Sequence, residues 1–420
     1  MRSRTVRRLF TFLILVVAFL TSSIPAFSSL HLIKYDRDGE LQWVESSNSG
    51  TSGASLQFGR SGHIYVIDNR QILKFDSDGQ RLFDRRPSQM LLAVVDAEEN
   101  VLMDCGEQSI CKWDSGGHQL WKTRLDGFNV FELFPLGNHG VVVGTYYQEH
   151  GGEQYALFGI DGAGNRLWHV ELRDLGFPGQ AIYLTDSAGN TYAAGDTEIG
   201  EQIVKLSAEG TVEWIVDLGE LYPALMAINN QGEVFVASYQ AGPSSDAGFY
   251  VRKLNAQGEV LFDGRHIWST FPWGGSILYD IAADNSGGVL ILGEASEPDV
   301  PADRHSISIA RFDDSGVTDW ARQLVYEDTL GYALAVDGDN NAIVAGLSYK
   351  EGADYYRSFG ALTIKFDSGG DIEWYNFFSD PRGYDDEATD VAVDDNGDIY
   401  VTDWFDHEDE IVLDYEACGC

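Results

Sequence analysis

A basic residue followed nine positions later by tryptophan or phenylalanine recurs along this 420-residue chain. The copies run Lys34 to Trp43, Lys74 to Phe83, Lys112 to Trp121, Gly159 to Trp168, Lys205 to Trp214, Lys253 to Phe262, Arg311 to Trp320 and Lys365 to Trp374. Each follows a strand-like apolar pair and encloses an acidic or polar turn with glycine, and in one copy glycine itself replaces the base. A period of this kind means a stacked repeat architecture.

A second phrase alternates with the first. It is clearest over residues 391–403, with copies at 281–293, 334–346, 183–195 and 227–238 and weaker ones at 93–106, 131–144 and 57–68. Each is an apolar run, a polar turn with Gly or Asn, and a run rich in β-branched and aromatic residues, the signature of a tight hairpin. No segment keeps a helical period. A repeat therefore reads as four strands, A and B from this phrase and C and D from the Lys-to-Trp phrase.

Four antiparallel strands repeated radially make an all-β propeller. Strand A, made of small residues as in Ile281-Ala282-Ala283, is expected at the hub, where space is tightest. The strand D aromatics are expected between blades, where truncation of one to alanine costs about 3–5 kcal/mol. The chain opens on a C–D phrase and closes on an A–B phrase, so pairing of its N- and C-terminal strands would complete one blade. This counts eight blades, with seven and an irregular remainder as the alternative, because residues 32–36 and 411–415 compete for one strand position.

The N-terminus points to export. Arg2, Arg4, Arg7 and Arg8 precede an apolar run from Leu9 to Leu20 and the small-residue stretch around Ala26, which reads as a signal peptide over 1–28. The run is short for a bilayer span of roughly 20 residues, so cleavage is expected, leaving 29–420 as a single propeller domain without a transmembrane segment. Arg7-Arg8 loosely resembles a twin-arginine signal, although the strongly apolar run favours the unfolded route. Loss of the four arginines leaves 24 basic against 66 acidic residues, a charge of about −42. Such a field repels nucleic acid and anionic membranes, keeps the protein soluble and draws in cations or a basic partner.

Four cysteines remain, Cys105, Cys111, Cys418 and Cys420, and in an oxidising compartment they allow three pairings. Cys105 and Cys111 flank five residues between two strand patterns, so a bridge across a hairpin is expected. Nothing near Cys418 and Cys420 activates a thiolate.

The phrase Asp394-x-x-Gly397-x-Ile399-Tyr400-Val401, joined to Ile364-Lys365-Phe366-Asp367-x-x-Gly370, resembles the SBBP β-propeller repeat of exported bacterial proteins and, more distantly, NHL repeats. The resemblance covers nearly the whole mature chain. It implies a scaffold whose activity varies with its loops, and it carries over no catalytic residue. Propellers that bind pyrroloquinoline quinone use a similar phrase, but there tryptophan follows aspartate by eight residues, against seven from Asp36 to Trp43 and from Asp367 to Trp374. The adjacent cysteine pair common in those dehydrogenases is also missing.

Function is expected where the repetition breaks. The A–B and C–D turns are short and regular, whereas the B–C connections 145–155, 239–249, 294–305 and 347–359 and the D–A stretch 266–275 are expanded. Loops on a rigid scaffold are where binding concentrates. Their aromatic and acidic content suits carbohydrate or peptide recognition and makes Tyr146, Tyr147, Tyr239, Trp268, Trp273, Tyr349, Tyr355 and Tyr356 the ligand-binding candidates; packing of the loops onto the propeller accounts for the same residues. Asp280 and Asp390 stand at matching positions of strand A, near the channel mouth. The acidic turns leave calcium open as a cofactor, but none has a full EF-hand ligand run, and tight-turn backbone bonding also explains them. The histidines recur at no fixed strand position, and no nucleophile elbow, metal-ligand pair or phosphate loop is present. The reading is an exported, periplasmic or extracellular, non-enzymatic propeller that recognises a protein or carbohydrate through its variable-loop face. The alternative is a propeller lyase or hydrolase acting on glycans or lactones with calcium.

Overall fold

A computed structural model describes residues 29–405 apart from 48–53, 69, 87–91, 138, 150–151, 239–246, 270–275, 296–304, 325–328, 350–358 and 380–384. Within them the two alternating phrases fold as hairpins and give eight four-stranded antiparallel sheets. Blades one to seven take residues 55–85, 93–124, 129–171, 182–219, 225–269, 276–324 and 330–378 in chain order, each with its strands in the order A–B–C–D. Strands B and C are buried between neighbouring blades, as in Ile64–Ile67 and Ile72–Phe75, while strand D alternates, as in Ile372–Phe378. Consecutive A strands touch one another all the way round, which closes the inner wall of an eight-bladed propeller. A short 3₁₀ turn, Leu172–Leu175, joins blades three and four.

The eighth blade is composite. Asp386–Val393 and Ile399–Phe405 supply strands A and B, and Ser29–Tyr35 and Leu41–Ser47 supply C and D. Ile33 stands opposite Val401 and Lys34 opposite Tyr400, so the ring closes by antiparallel pairing of the two ends. The N-terminal segment holds the strand C position, which settles the blade count at eight. Residues 411–415, which compete for that position in the sequence, lie outside the described residues, as do the signal segment and Cys418 and Cys420.

The recurring tryptophans join the blades. Trp43, Trp121, Trp168, Trp214, Trp320 and Trp374 each donate the indole N–H to a carbonyl in the C–D turn of the next blade, those of Ser77, Gly162, Ala208, Ala256, Ser368 and Arg37, at 2.8–3.3 Å. The turn glycine is fixed by the same contact: Gly39 has φ +84, and a Cβ there would lie 2.6 Å from Trp374 Cδ2. Phe83 and Phe262 pack against Gly117 and Gly316 in the same way without the hydrogen bond.

The recurring bases complete the joint. Lys34, Lys205 and Lys365 reach the same carbonyls as their tryptophans, those of Ser77, Ala256 and Arg37. Lys253 is fully buried and lies between Glu233, Asp314 and the Gly287 carbonyl. The turn carboxylates are engaged locally: Asp36, Asp76, Asp337 and Asp394 each accept two backbone N–H groups of their own turn through Oδ1.

Cys105 and Cys111 form a disulfide with Cα atoms 5.9 Å apart. It staples the B–C turn of blade two, in which Gly106, Glu107 and Gln108 all have positive φ. All five expected loops are partly strand: residues 247–249, 294–295 and 347–349 belong to strands Ala247–Leu254, Val289–Ala295 and Ala342–Tyr349. The 145–155 connection continues as a hairpin, with strands Gly140–Glu149 and Gly152–Ile160 pairing beyond the blade, and 266–269 extend strand D of blade five through Val260–Ser269. Alternating β-branched and aromatic residues there sustain a two-stranded ladder past the edge of the core.

Candidate functional site at the mouth of the ring

Strand A starts, and strand B ends, on the face that bears the B–C and D–A connections. Of the expected loop aromatics, Tyr239, Trp273, Tyr355 and Tyr356 lie outside the described residues. Tyr146 and Tyr147 stand on the extended hairpin of blade three, opposite Tyr155 and Gln154. Tyr147 donates to Glu171 Oε2 at 2.9 Å and meets Phe128 edge-on at 4.9 Å, so packing occupies it. Trp268 is half-buried against His266 and Phe249, with ring centroids 4.4 and 5.7 Å away, and its indole N–H has no acceptor among the described residues. Burial also pushes the His266 imidazole down, keeping it neutral beside the indole. Tyr349 ends strand B of blade seven, opposite Phe359.

Asp280 and Asp390 occupy matching places at β-bulges of strand A in blades six and eight. Asp280 accepts the backbone N–H groups of Ile281 and, across the blade boundary, Leu334, both at 2.7 Å. Asp390 does the same with Val391 at 2.8 Å and Leu56 at 2.7 Å. Each carboxylate thus latches its inner strand to the next. Desolvation pushes both up to about 6, and Asp390 adds like-charge repulsion to Asp280. A third carboxyl, Glu132, sits at the bulge of blade three, where burial pushes it up to about 7.

A bulge adds one residue to strand A and re-aims its side chain. In blades six and seven the added residues are Tyr279 and Tyr332, which sequence reasoning missed, and their rings meet edge-to-face at 5.7 Å. Tyr279 donates to Glu294 Oε2 at 3.3 Å, and Glu294 Oε1 lies 3.0 Å from His305 Nδ1. Tyr332 is hydrogen-bonded to Glu387. Burial and the neighbouring carboxylate push the Tyr279 hydroxyl up to about 12, so it remains a donor at any physiological pH. The arrangement offers two flat rings backed by carboxylates and an imidazole, which suits stacking and hydrogen bonding to a polar ligand.

The closing blade holds a separate donor set. His31, Asp386 and Asp403 come from three adjacent strands, are all buried, and place one ligand atom each within 4.8 Å of one another. His31 Nδ1 lies 3.1 Å from Asp403 Oδ2, and Asp403 Oδ1 accepts the Glu387 N–H at 3.0 Å. Imidazole with two carboxylates is a donor set that suits a divalent cation. The fifth residue of strand B, here Asp403, is glycine in four other blades, Gly144, Gly195, Gly293 and Gly346, and that departure was the available sequence signal. Asp96, Glu98 and His139 form a second, largely exposed group between blades two and three, where Lys112 already pairs with Asp96.

A family model described as outer membrane protein assembly factor BamB matches residues 28–220. No curated protein matches the chain. Among solved structures, the Dos1 propeller aligns over 84% of this chain and 92% of its own, at 10% identity and a TM-score of 0.52. The Pan2 WD40 domain of Neurospora crassa aligns over 84% and 89%, at 11% identity and a TM-score of 0.40. A protein of unknown function from Bacteroides caccae aligns over 57% and 94%, at 16% identity and a TM-score of 0.36. The chain is thus similar to propellers in fold and, over its N-terminal half, to the BamB repeat model.

Proposed function

We propose that the chain is an exported bacterial propeller, non-enzymatic, that binds a protein or carbohydrate ligand through the loop-bearing face. The observation that carries this reading is the division of labour between recurring and non-recurring residues. Recurring lysines, tryptophans and turn carboxylates are engaged in joining or shaping blades. Tyr279 and Tyr332 share the bulge position of blades six and seven, outside the repeated frame, and stand beside Glu294, Glu387 and His305, while Trp268 packs on Phe249 and His266 of blade five. Tyr239, Trp273, Tyr355 and Tyr356, expected on this face from the sequence, lie outside the described residues. Fold alone does not assign function, and the match to an assembly-factor model supports a scaffold that holds partners.

That match begins at residue 28, consistent with a signal segment over 1–28 and a periplasmic or extracellular mature protein. The SBBP type remains an inference from the phrases around Asp394 and Lys365. Calcium at the acidic turns is an accessory to this reading, and a melting temperature unmoved by calcium or chelator would remove it.

The test uses the mature protein and the triple variant Tyr279→Ala, Tyr332→Ala, Trp268→Ala on glycan and peptide arrays. The wild type should retain a ligand that the folded variant loses. Identical array profiles for the two proteins would end the assignment to this face.

A further inference from the structure

Three ionisable side chains depart from the repeat together in the closing blade. Its register sets Asp403 of strand B opposite His31 of strand C. At the same place blade four pairs Gly195 with Gln202, blade six Gly293 with Ser308, and blade seven Gly346 with Leu362. Asp386 opens strand A opposite Phe405, which puts it one diagonal step from Asp403 on the same face of the sheet, where blade six holds Ser276. His31 is 4% exposed and both aspartates 0%.

Two ionised carboxyls and one imidazole carry net negative charge whichever form the imidazole takes, and charge is buried where it is paired or holds a metal. Each of the three residues places one ligand atom within 4.8 Å of the others, and His31 Nδ1 already lies 3.1 Å from Asp403 Oδ2. Ligands about 2.1 Å from a tetrahedral cation stand about 3.4 Å apart, so a shift of about 1 Å at a side-chain end completes the grip. The donors are also held from outside. The Glu387 N–H donates to Asp403 Oδ1 at 3.0 Å, and Phe378 of blade seven meets the His31 ring edge-on at 5.2 Å.

We infer that His31, Asp386 and Asp403 bind a divalent first-row transition cation that fastens the ring where its two ends meet. Imidazole with carboxylates suits zinc or its neighbours, whereas calcium takes six to eight oxygens. The ligands come from strands C, B and A of the composite blade, so the cation ties the first strand of the chain to the last two. Glu387, attached to Asp403 through its backbone, is the partner of Tyr332, so the cation also steadies one side of the aromatic mouth. The metal site itself does not depend on what the mouth binds.

Mature protein without an added histidine tag is stripped with a chelator and titrated with Zn²⁺ and with Ca²⁺ by calorimetry. Zinc at about a hundredfold excess over its Kd should raise the melting temperature by about 3 °C and slow amide hydrogen exchange in residues 29–35. Calcium at the same concentration should do neither. The exchange readout separates this site from Cys418 and Cys420 and from the exposed group at Asp96, Glu98 and His139. Asp403→Gly installs the glycine of blades four, six and seven, and His31→Leu the leucine of blade seven, so both variants keep side chains the fold already uses. Each should abolish the zinc-dependent protection of residues 29–35. No protection in the stripped wild type, equal protection by calcium, or protection that survives in either folded variant would overturn the assignment.

Discussion

Lys253→Met tests the joint between blades where its parts are most enclosed. The ammonium is fully buried and bonds Glu233 at 2.7 Å and the Gly287 carbonyl at 2.9 Å, with Asp314 as a third partner. Its stem runs over the Phe235 and Phe262 rings, with Nζ 5.3 and 5.9 Å from their centroids. Removal of one member of a buried pair costs about 3–5 kcal/mol, because the other charge is left without compensation. Asp314 is mostly exposed and rehydrates, so its share is small. Methionine keeps the apolar stem, which leaves Glu233 and the Gly287 carbonyl to account for a net loss of about 2–3 kcal/mol. Urea titrations followed by tryptophan fluorescence and by circular dichroism measure it, provided the two transitions coincide. Lys253→Met with Glu233→Gln should recover about 1 kcal/mol, since the stranded charge is gone. A single variant within about 0.5 kcal/mol of wild type, or a double variant less stable than the single, would refute the claim that the recurring base holds the blades.

Acidity should shape stability in a defined window. Desolvation raises Asp280 and Asp390 to about 6, well above their unfolded values, so between roughly pH 4 and 6 the folded state holds protons the unfolded chain has released. Stability should therefore fall as pH rises through that window, and Asp280→Asn with Asp390→Asn should flatten a melting-temperature profile there. Glu99 runs the opposite way. Burial would raise it, but Lys74, Ser61 and His63 bring it down to about 2, so its contribution is present above about pH 4.5 and is lost towards pH 2; Glu99→Gln should remove that acid limb. Cys105→Ser with Cys111→Ser opens a short loop and should cost about 2 kcal/mol in a denaturant titration. Deletion of residues 29–47 removes strands C and D of blade eight and should abolish the cooperative transition in calorimetry; an unchanged transition would show that the ends do not close the ring.

The frame was legible because it recurs. A nine-residue spacing places base and aromatic opposite each other across a hairpin with one bulge, Lys365 opposite Trp374 and Lys205 opposite Trp214, and identical neighbours then demand identical residues. The Cys105–Cys111 bridge was legible for a local reason, since six residues of separation admit a turn between two strands. Tyr279 and Tyr332 were not legible, because a bulge is one inserted residue whose side-chain direction the alternating pattern does not encode. His31, Asp386 and Asp403 were not either, since pairing of the first strand with the last brings them together and no sequence window spans them. Strand ends were misjudged at 145–149 and 266–269, where hairpins run on past the blade without a turn residue to stop them.

The claim that recurring residues build the ring while non-recurring ones bind is tested most directly by one alanine scan read twice. Melting temperature and ligand affinity per folded molecule are measured for Trp121, Trp214, Lys205 and Lys365 on one side and Tyr279, Tyr332 and Trp268 on the other. The first group should lose melting temperature and keep affinity, and the second should keep melting temperature and lose affinity. Affinity that falls in step with melting temperature in both groups would contradict the account.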